Sequence, residues 1–88
     1  MEQILETASV VDVRTPNEYQ QGHYPGAVNI PLNEIPQRLD EIKEMQQPIV
    51  LYCLSGNRSG MAAVLLKQTG ISQVYNAGGI NDILQYKK

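Results

Sequence analysis

The residue with the most chemistry to offer is Cys53, the one cysteine in the chain. It ends the most apolar run of the sequence, Ile49-Val50-Leu51-Tyr52, and opens the segment Leu54-Ser55-Gly56-Asn57-Arg58, after which Ser59-Gly60 leads into a helical pattern. A single cysteine excludes an intrachain disulfide and any multi-cysteine metal site, so whatever Cys53 does, it does as a free thiol. Gly56 permits a tight curl in which successive backbone N–H groups converge on one point. The following helix adds the partial positive charge of its N-terminus, and Arg58 adds a full one. A free thiol titrates near ~8.5, and such surroundings commonly bring it to ~3.5–7.5. Cys53 is therefore expected as a nucleophilic thiolate at neutral pH, with the N–H groups of residues 54–59 free to hold an anionic substrate group. A lone cysteine is more often a small buried hydrophobe. Here the Ser-Gly-Asn-Arg-Ser run directly behind it, and the helix next, favour the nucleophile.

Such a loop must be positioned by the elements on either side. Residues 9–13 carry Val10, Val11 and Val13, a β-branched run typical of a buried strand. Thr15-Pro16-Asn17-Glu18 then reads as a helix start: Thr15 caps, Pro16 takes the first position and Glu18 closes a capping box. Gly22 ends that helix. Pro25-Gly26 is a turn signal, and residues 27–30 make a second short strand before Pro31. Asn33 looks like the next cap, and Leu32, Ile35, Leu39, Ile42 and Met45 recur at the spacing of an amphipathic helix. Pro48 restarts the chain into the strand 49–53. A helix over 59–69 ends at Gly70, residues 72–75 read as a last short strand, and Gly78-Gly79 turns into a final helix over about 80–85 with Asn81 or Asp82 near its positive end. Strands alternating with helices through short Gly/Pro turns imply an α/β domain with a small parallel sheet of four or five strands. The strands are apolar throughout, so helices must cover both faces. In such sheets ligands bind beyond the carboxyl ends of the strands, where Cys53 is placed.

Composition narrows the rest. At 88 residues the chain allows one domain, read as 4–86 with 1–3 and 87–88 as terminal extensions. A folded chain of this size buries only ~60% of the surface it exposes when unfolded, so its core must carry it without staples. The 42% hydrophobic content is too high for a disordered tail. Seven basic against nine acidic residues, and no Trp or Phe, argue against a nucleic-acid groove. The longest apolar stretches are six residues, residues 49–54 and 61–66, and a membrane span needs roughly 20. The first residues, Met1-Glu2-Gln3-Ile4-Leu5-Glu6, do not form a signal peptide. A cytoplasmic location is expected if the chain is complete, and a periplasmic one if an export signal has been removed.

Three blocks of sequence carry a family resemblance. Val11-Asp12-Val13-Arg14, Glu18-Tyr19 and the run Gly22-His23-Tyr24-Pro25-Gly26-Ala27-Val28-Asn29-Ile30-Pro31 resemble the first signature of the rhodanese superfamily. Tyr52-Cys53-Leu54-Ser55-Gly56-Asn57-Arg58-Ser59 looks like its active-site loop, and Asn76-Ala77-Gly78-Gly79-Ile80 is similar to its C-terminal Gly-Gly turn. The blocks appear in order over nearly the whole chain, and the short length looks like that of the small single-domain, phage-shock-type members. The resemblance implies a rhodanese-like three-layer α/β/α domain and an enzyme of the thiosulfate:cyanide sulfurtransferase type. Cys53 would take the outer sulfur of thiosulfate or another persulfide donor and pass it to cyanide or a thiol, with no metal and no organic cofactor. The chain would act as a monomer, with a sulfur-relay protein as a possible partner.

On this reading Leu54, Ser55, Gly56, Asn57, Arg58 and Ser59 form the substrate-binding loop through their backbone N–H groups. Arg58 attracts the anionic donor and lowers the thiol pKa. Ser55 either donates its hydroxyl or merely suits the turn, and Ser59 is weighed as a helix cap rather than a catalytic group. Asp12, Arg14 and Glu18 are read as scaffold, with Arg14 paired to Glu18 or Asp12. His23 is read as structural, Tyr19 and Tyr24 as core or rim packing, and Met61 as part of the first turn of the loop's helix. Tyrosine phosphatases also place a Cys before an anion-cradling loop and an Arg, with one more intervening residue than the four found here. The shorter loop suits a single sulfur better than a phosphate. The extra N-terminal strand and helix of standalone members is abbreviated or missing, and the aromatic residue usual after the Gly-Gly turn is replaced by Ile83 and Leu84. The alternatives to a sulfurtransferase are a non-catalytic protein-binding module and a relay protein fed by another persulfide protein.

Overall fold

A computed structural model describes residues 1–87; Lys88, read above as part of a terminal extension, lies outside them. Strands β1 (Ser9–Asp12), β2 (Val28–Asn29), β3 (Ile49–Cys53) and β4 (Val74–Gly79) form one parallel sheet in the order β2-β1-β3-β4. All five residues of β3 are buried, which explains why its sequence is apolar rather than alternating. Successive side chains of a strand point to opposite faces. Ile49, Leu51 and Cys53 join one core with Val11, Val13, Ile35, Ile42, Ala62 and Leu66, while Val50 and Tyr52 join another with Val10, Ala27 and Ile83. The first core lies beneath a 3₁₀ segment (Leu32–Arg38), α3 (Leu39–Lys43) and α4 (Asn57–Gln68). The second lies beneath α1 (Glu2–Leu5), α2 (Pro16–Gln20) and α5 (Ile80–Ile83). Helices thus cover both faces, as the apolar strands require. No helix of the described residues is long and apolar enough to cross a membrane.

Three elements depart from the sequence reading. The single helix expected over residues 32–45 is instead a 3₁₀ segment capped at Pro31, followed by the short α3. Pro36 lies inside it, lacks an N–H and crowds the preceding turn, yet Ile35 and Ile42 still reach the core. The last strand begins later and runs further than 72–75, so Gly78-Gly79 is the end of β4 rather than a turn after it. Leu51 pairs with Asn76 but Cys53 with Gly79, which leaves one extra residue on β4. That bulge re-aims the strand end and sets Gly79 beside the cysteine. Finally, α4 starts at Asn57, two residues before the expected start, with Gly56 as its N-cap in the left-handed region at φ 101°.

The sheet order reverses between β1 and β3. Connections leaving these neighbours diverge, and the crevice they leave at the carboxyl ends is the usual ligand position. Cys53 is the last residue of β3 and stands at that crevice.

Candidate active site

Cys53 is 1% exposed, and the chain folds back over it at once. Gly56 N–H donates to Sγ at 3.0 Å, and Ser59 approaches the same sulfur with both its N–H and its hydroxyl at 3.4 Å. Gly56 in the left-handed region makes this possible, turning the loop so that its own N–H and the first turn of α4 face inward. Burial pushes the Cys53 thiol up, but the Ser59 hydroxyl and the N–H groups of Ser59, Gly56 and Ser55 together pull it below its ordinary value. A thiol held by several N–H donors at a helix start is poised as a nucleophile.

The charge of Arg58 acts on Cys53, but its side chain is engaged elsewhere. Its guanidinium grips Glu18 through two contacts of 2.9 and 3.1 Å, while the donors at the sulfur are those of Gly56 and Ser59. The Glu18 carboxyl is held down at about 2, first by Arg58 and then by the Thr15 N–H. Glu18 therefore serves two ends: it closes the α2 capping box on Thr15 and ties α2 to the start of α4. Arg14 pairs with Asp12, not Glu18. The two side chains meet at 2.7–3.1 Å with exposures of 5% and 0%. Arg14 also donates to the Gly22 carbonyl at 2.7 Å and lies over the Tyr52 ring. This pair braces the β1 end and the turn after α2.

The remaining loop residues divide by exposure. Leu54 is 58% exposed at the rim, Ser55 and Asn57 are exposed, and Ser59 is fully buried. Ser59 lies in the first turn of α4 facing the sulfur, so it is not the cap; Gly56 is. Met61 is exposed beyond that turn. His23 stacks on Tyr19 with ring centroids 3.7 Å apart and bonds its carbonyl, while the Tyr19 hydroxyl donates to the Ala27 carbonyl at 2.6 Å. Above Leu54 opens a cleft of about 590 Å³ walled by Arg14, Glu18, His23, Ile80 and Lys87. Among the described residues no group of three or more His, Cys, Asp or Glu side chains could hold a metal.

Two participants escaped the sequence reading of the site. Asn76 donates to the Gly56 carbonyl at 3.1 Å and faces the Ser59 hydroxyl at 2.7 Å. Asp82 accepts the Gly79 N–H at 2.8 Å and so fixes the peptide beside Cys53. Asn76 is named by the sequence only within the Gly-Gly block, because its place opposite Ser59 depends on the register of β4, whereas Asp82 is expected near the start of the last helix and its bond to the Gly79 N–H lies there.

A family model described as a rhodanese-like domain matches residues 1–85. The chain belongs to the rhodanese-like family. It is 41% identical over 78 residues to thiosulfate sulfurtransferase PspE of Escherichia coli K12, covering 88% of this chain and 75% of PspE. It is 46% identical over 72 residues to the uncharacterized protein YqhL of Bacillus subtilis, covering 82% of this chain and 56% of YqhL, so it spans little more than half of that relative. Among solved structures, a rhodanese with anions from E. coli superposes with a TM-score of 0.78 at 39% identity, covering 85% of this chain and 89% of the other. The rhodanese-like fold thus accounts for the four-stranded parallel sheet and the position of its loop at the carboxyl end of β3.

Proposed function

We propose that this rhodanese-like protein is a sulfurtransferase that carries sulfane sulfur on Cys53. The observation that carries the reading is the convergence of Gly56 N–H, Ser59 N–H and Ser59 Oγ on one sulfur. In the first half-reaction the Cys53 thiolate attacks the outer sulfur of thiosulfate. An S–S bond forms to Cys53, the donor S–S bond breaks, and sulfite leaves with its electron pair. The resulting persulfide carries its negative charge on the outer sulfur. In the second half-reaction a thiophile such as cyanide or a thiolate attacks that sulfur, and the electron pair of the Cys53 S–S bond returns to Sγ. Every species at the site is an anion, and fixed backbone N–H groups can stabilise each one without reorganising. The N–H groups of residues 54–59 form the substrate cradle on this reading, and no metal or organic cofactor enters any step. A persulfide on a relay protein would serve as donor by the same chemistry.

Intact mass after incubation with thiosulfate tests the first step. An adduct of one sulfur atom, removed by cyanide as thiocyanate and missing from Cys53→Ala, is the expected result. An unmodified Cys53 at saturating donor would overturn it and leave a module that binds partners without catalysis.

A further inference from the structure

The hydroxyl of Ser59 has more neighbours than protons. Its Oγ lies 2.7 Å from Asn76 Oδ1, 3.2 Å from the Gly56 carbonyl, 3.4 Å from Cys53 Sγ and 3.5 Å from the Gly78 carbonyl. A serine hydroxyl supplies one proton and two lone pairs, so only one neighbour takes the proton at a time. Asn76 decides which. Its Nδ2 donates to the Gly56 carbonyl at 3.1 Å, and its Oδ1 accepts the Gly78 N–H at 2.9 Å. Turning the amide over would set oxygen against oxygen and N–H against N–H, so its orientation is fixed by its partners. The atom facing Ser59 at 2.7 Å is therefore an acceptor, and Ser59 donates to it. That separation is the ordinary one for an O–H···O bond, and the other contacts are longer.

With its proton on Asn76, Ser59 presents a lone pair to Cys53, which suits an uncharged sulfur. A thiolate requires the opposite, with the proton rotated onto Sγ. We propose that Asn76 is a positioning residue that holds the Ser59 proton while Cys53 Sγ is uncharged and releases it to Sγ when the sulfur becomes an anion. The inference rests on the sulfur-transfer reading above. In that cycle Sγ is a thiolate in the unloaded protein and an uncharged inner sulfur in the persulfide. The hydroxyl turns toward Sγ as the outer sulfur departs and the S–S electron pair returns, and turns back to Asn76 when the next sulfur is received. Asn76 thereby favours the loaded state and holds the thiol less acidic than Ser59 alone would make it. Of the charged groups around this corner, Arg58 acts on Cys53 through its charge while paired with Glu18, Arg14 is tied to Asp12, and Asp82 accepts the Gly79 N–H.

The experiment is the rate of Cys53 alkylation by iodoacetamide against pH, for wild type, Ser59→Ala, Asn76→Leu and the double variant. Ser59→Ala is expected to raise the apparent pKa by about one to two units, the scale of one hydrogen bond to a charged group. Asn76→Leu lowers it by a similar amount, and in the Ser59→Ala background it shifts nothing. Asn76→Ala is the second variant, and cooperative melting identifies the folded ones. A folded Asn76 variant with an unchanged or raised pKa, or one whose shift persists without Ser59, overturns the proposal. The unaltered chain offers a further readout: Gly78 N–H shares Asn76 Oδ1 with Ser59, so its NMR resonance should titrate with Cys53, and a flat resonance also overturns it. Alkylation needs no sulfur donor, so failure of the persulfide adduct and failure of the proton relay are separate results.

Discussion

At the scale of single residues, the site separates two tasks that a Cys-loop-Arg sequence suggests are joined. The thiolate is stabilised by hydrogen bonds from Gly56 and Ser59, which touch the sulfur, and from the Ser55 N–H, while Arg58 acts on it through its charge. The Arg58 side chain itself forms an ion pair with Glu18 near the mouth, with both partners about a third exposed (33% and 27%). On the proposed sulfurtransferase reading an anionic donor approaches this pair, and Glu18 competes with it for the guanidinium. Glu18→Gln should therefore lower the thiosulfate KM, and Arg58→Ala, which leaves the Glu18 charge facing the donor, should raise it. Each effect is expected at about two- to fivefold, the scale of a partly exposed pair, measured as initial rates of thiocyanate formation. Raising the ionic strength should shrink the difference between the two variants.

At the scale of elements, Glu18 and the end of β4 hold the loop from opposite sides. The Glu18 carboxyl titrates at about 2 in the folded chain against an ordinary 4.5, chiefly because Arg58 bonds it. A depressed carboxylate stabilises the fold fully above its unfolded pKa, and that contribution fades as pH falls through the folded value. Wild type should thus melt above Glu18→Gln at pH 6, and the gap should close between about pH 4.5 and 2, followed by circular dichroism. On the other side, Gly79 packs so closely under the loop that an added Cβ would collide with the Leu54 carbonyl and sit 3.3 Å from Ser55 Cα. Backbone cannot yield as a flexible side chain does, so Gly79→Ala should displace the loop and abolish the persulfide adduct even in variants that remain folded by circular dichroism. The Thr15-Pro16-Glu18 helix start, the apolar β3 and the curl at Gly56 behind Cys53 were legible because each is a local pattern. The 3₁₀ segment was missed because Ile35 and Ile42 keep helical spacing across Pro36, where the backbone does not. The role of Asn76 and the pairing of Arg58 with Glu18 depend on strand register and helix placement between segments distant in sequence.

At the scale of the whole molecule, the site depends on the two central strands keeping their carboxyl ends level, and a buried ion pair stands at that edge. Asp12 is fully buried at the end of β1, and Arg14 satisfies it while reaching the Gly22 carbonyl and the Tyr52 ring. Asn29 on β2 donates to the carbonyls of both Asp12 and Arg14, so the same corner joins a third segment. Removing one partner of such a pair leaves an uncompensated buried charge, at a cost of about 3–5 kcal/mol. A domain of this size has a total stability of only about 4–13 kcal/mol, so the loss is a large share of the whole. Each kcal/mol shifts the melting temperature of a domain this small by about 4–8 °C. Arg14→Ala should therefore melt more than about 12 °C below wild type, or fail to fold, although Arg14 makes no contact with Cys53. Arg14→Lys should fall between them, because it keeps the charge and loses the planar fork that meets both Asp12 oxygens. Equal melting of Arg14→Ala and wild type would show that the edge of the sheet is held by its backbone ladder alone.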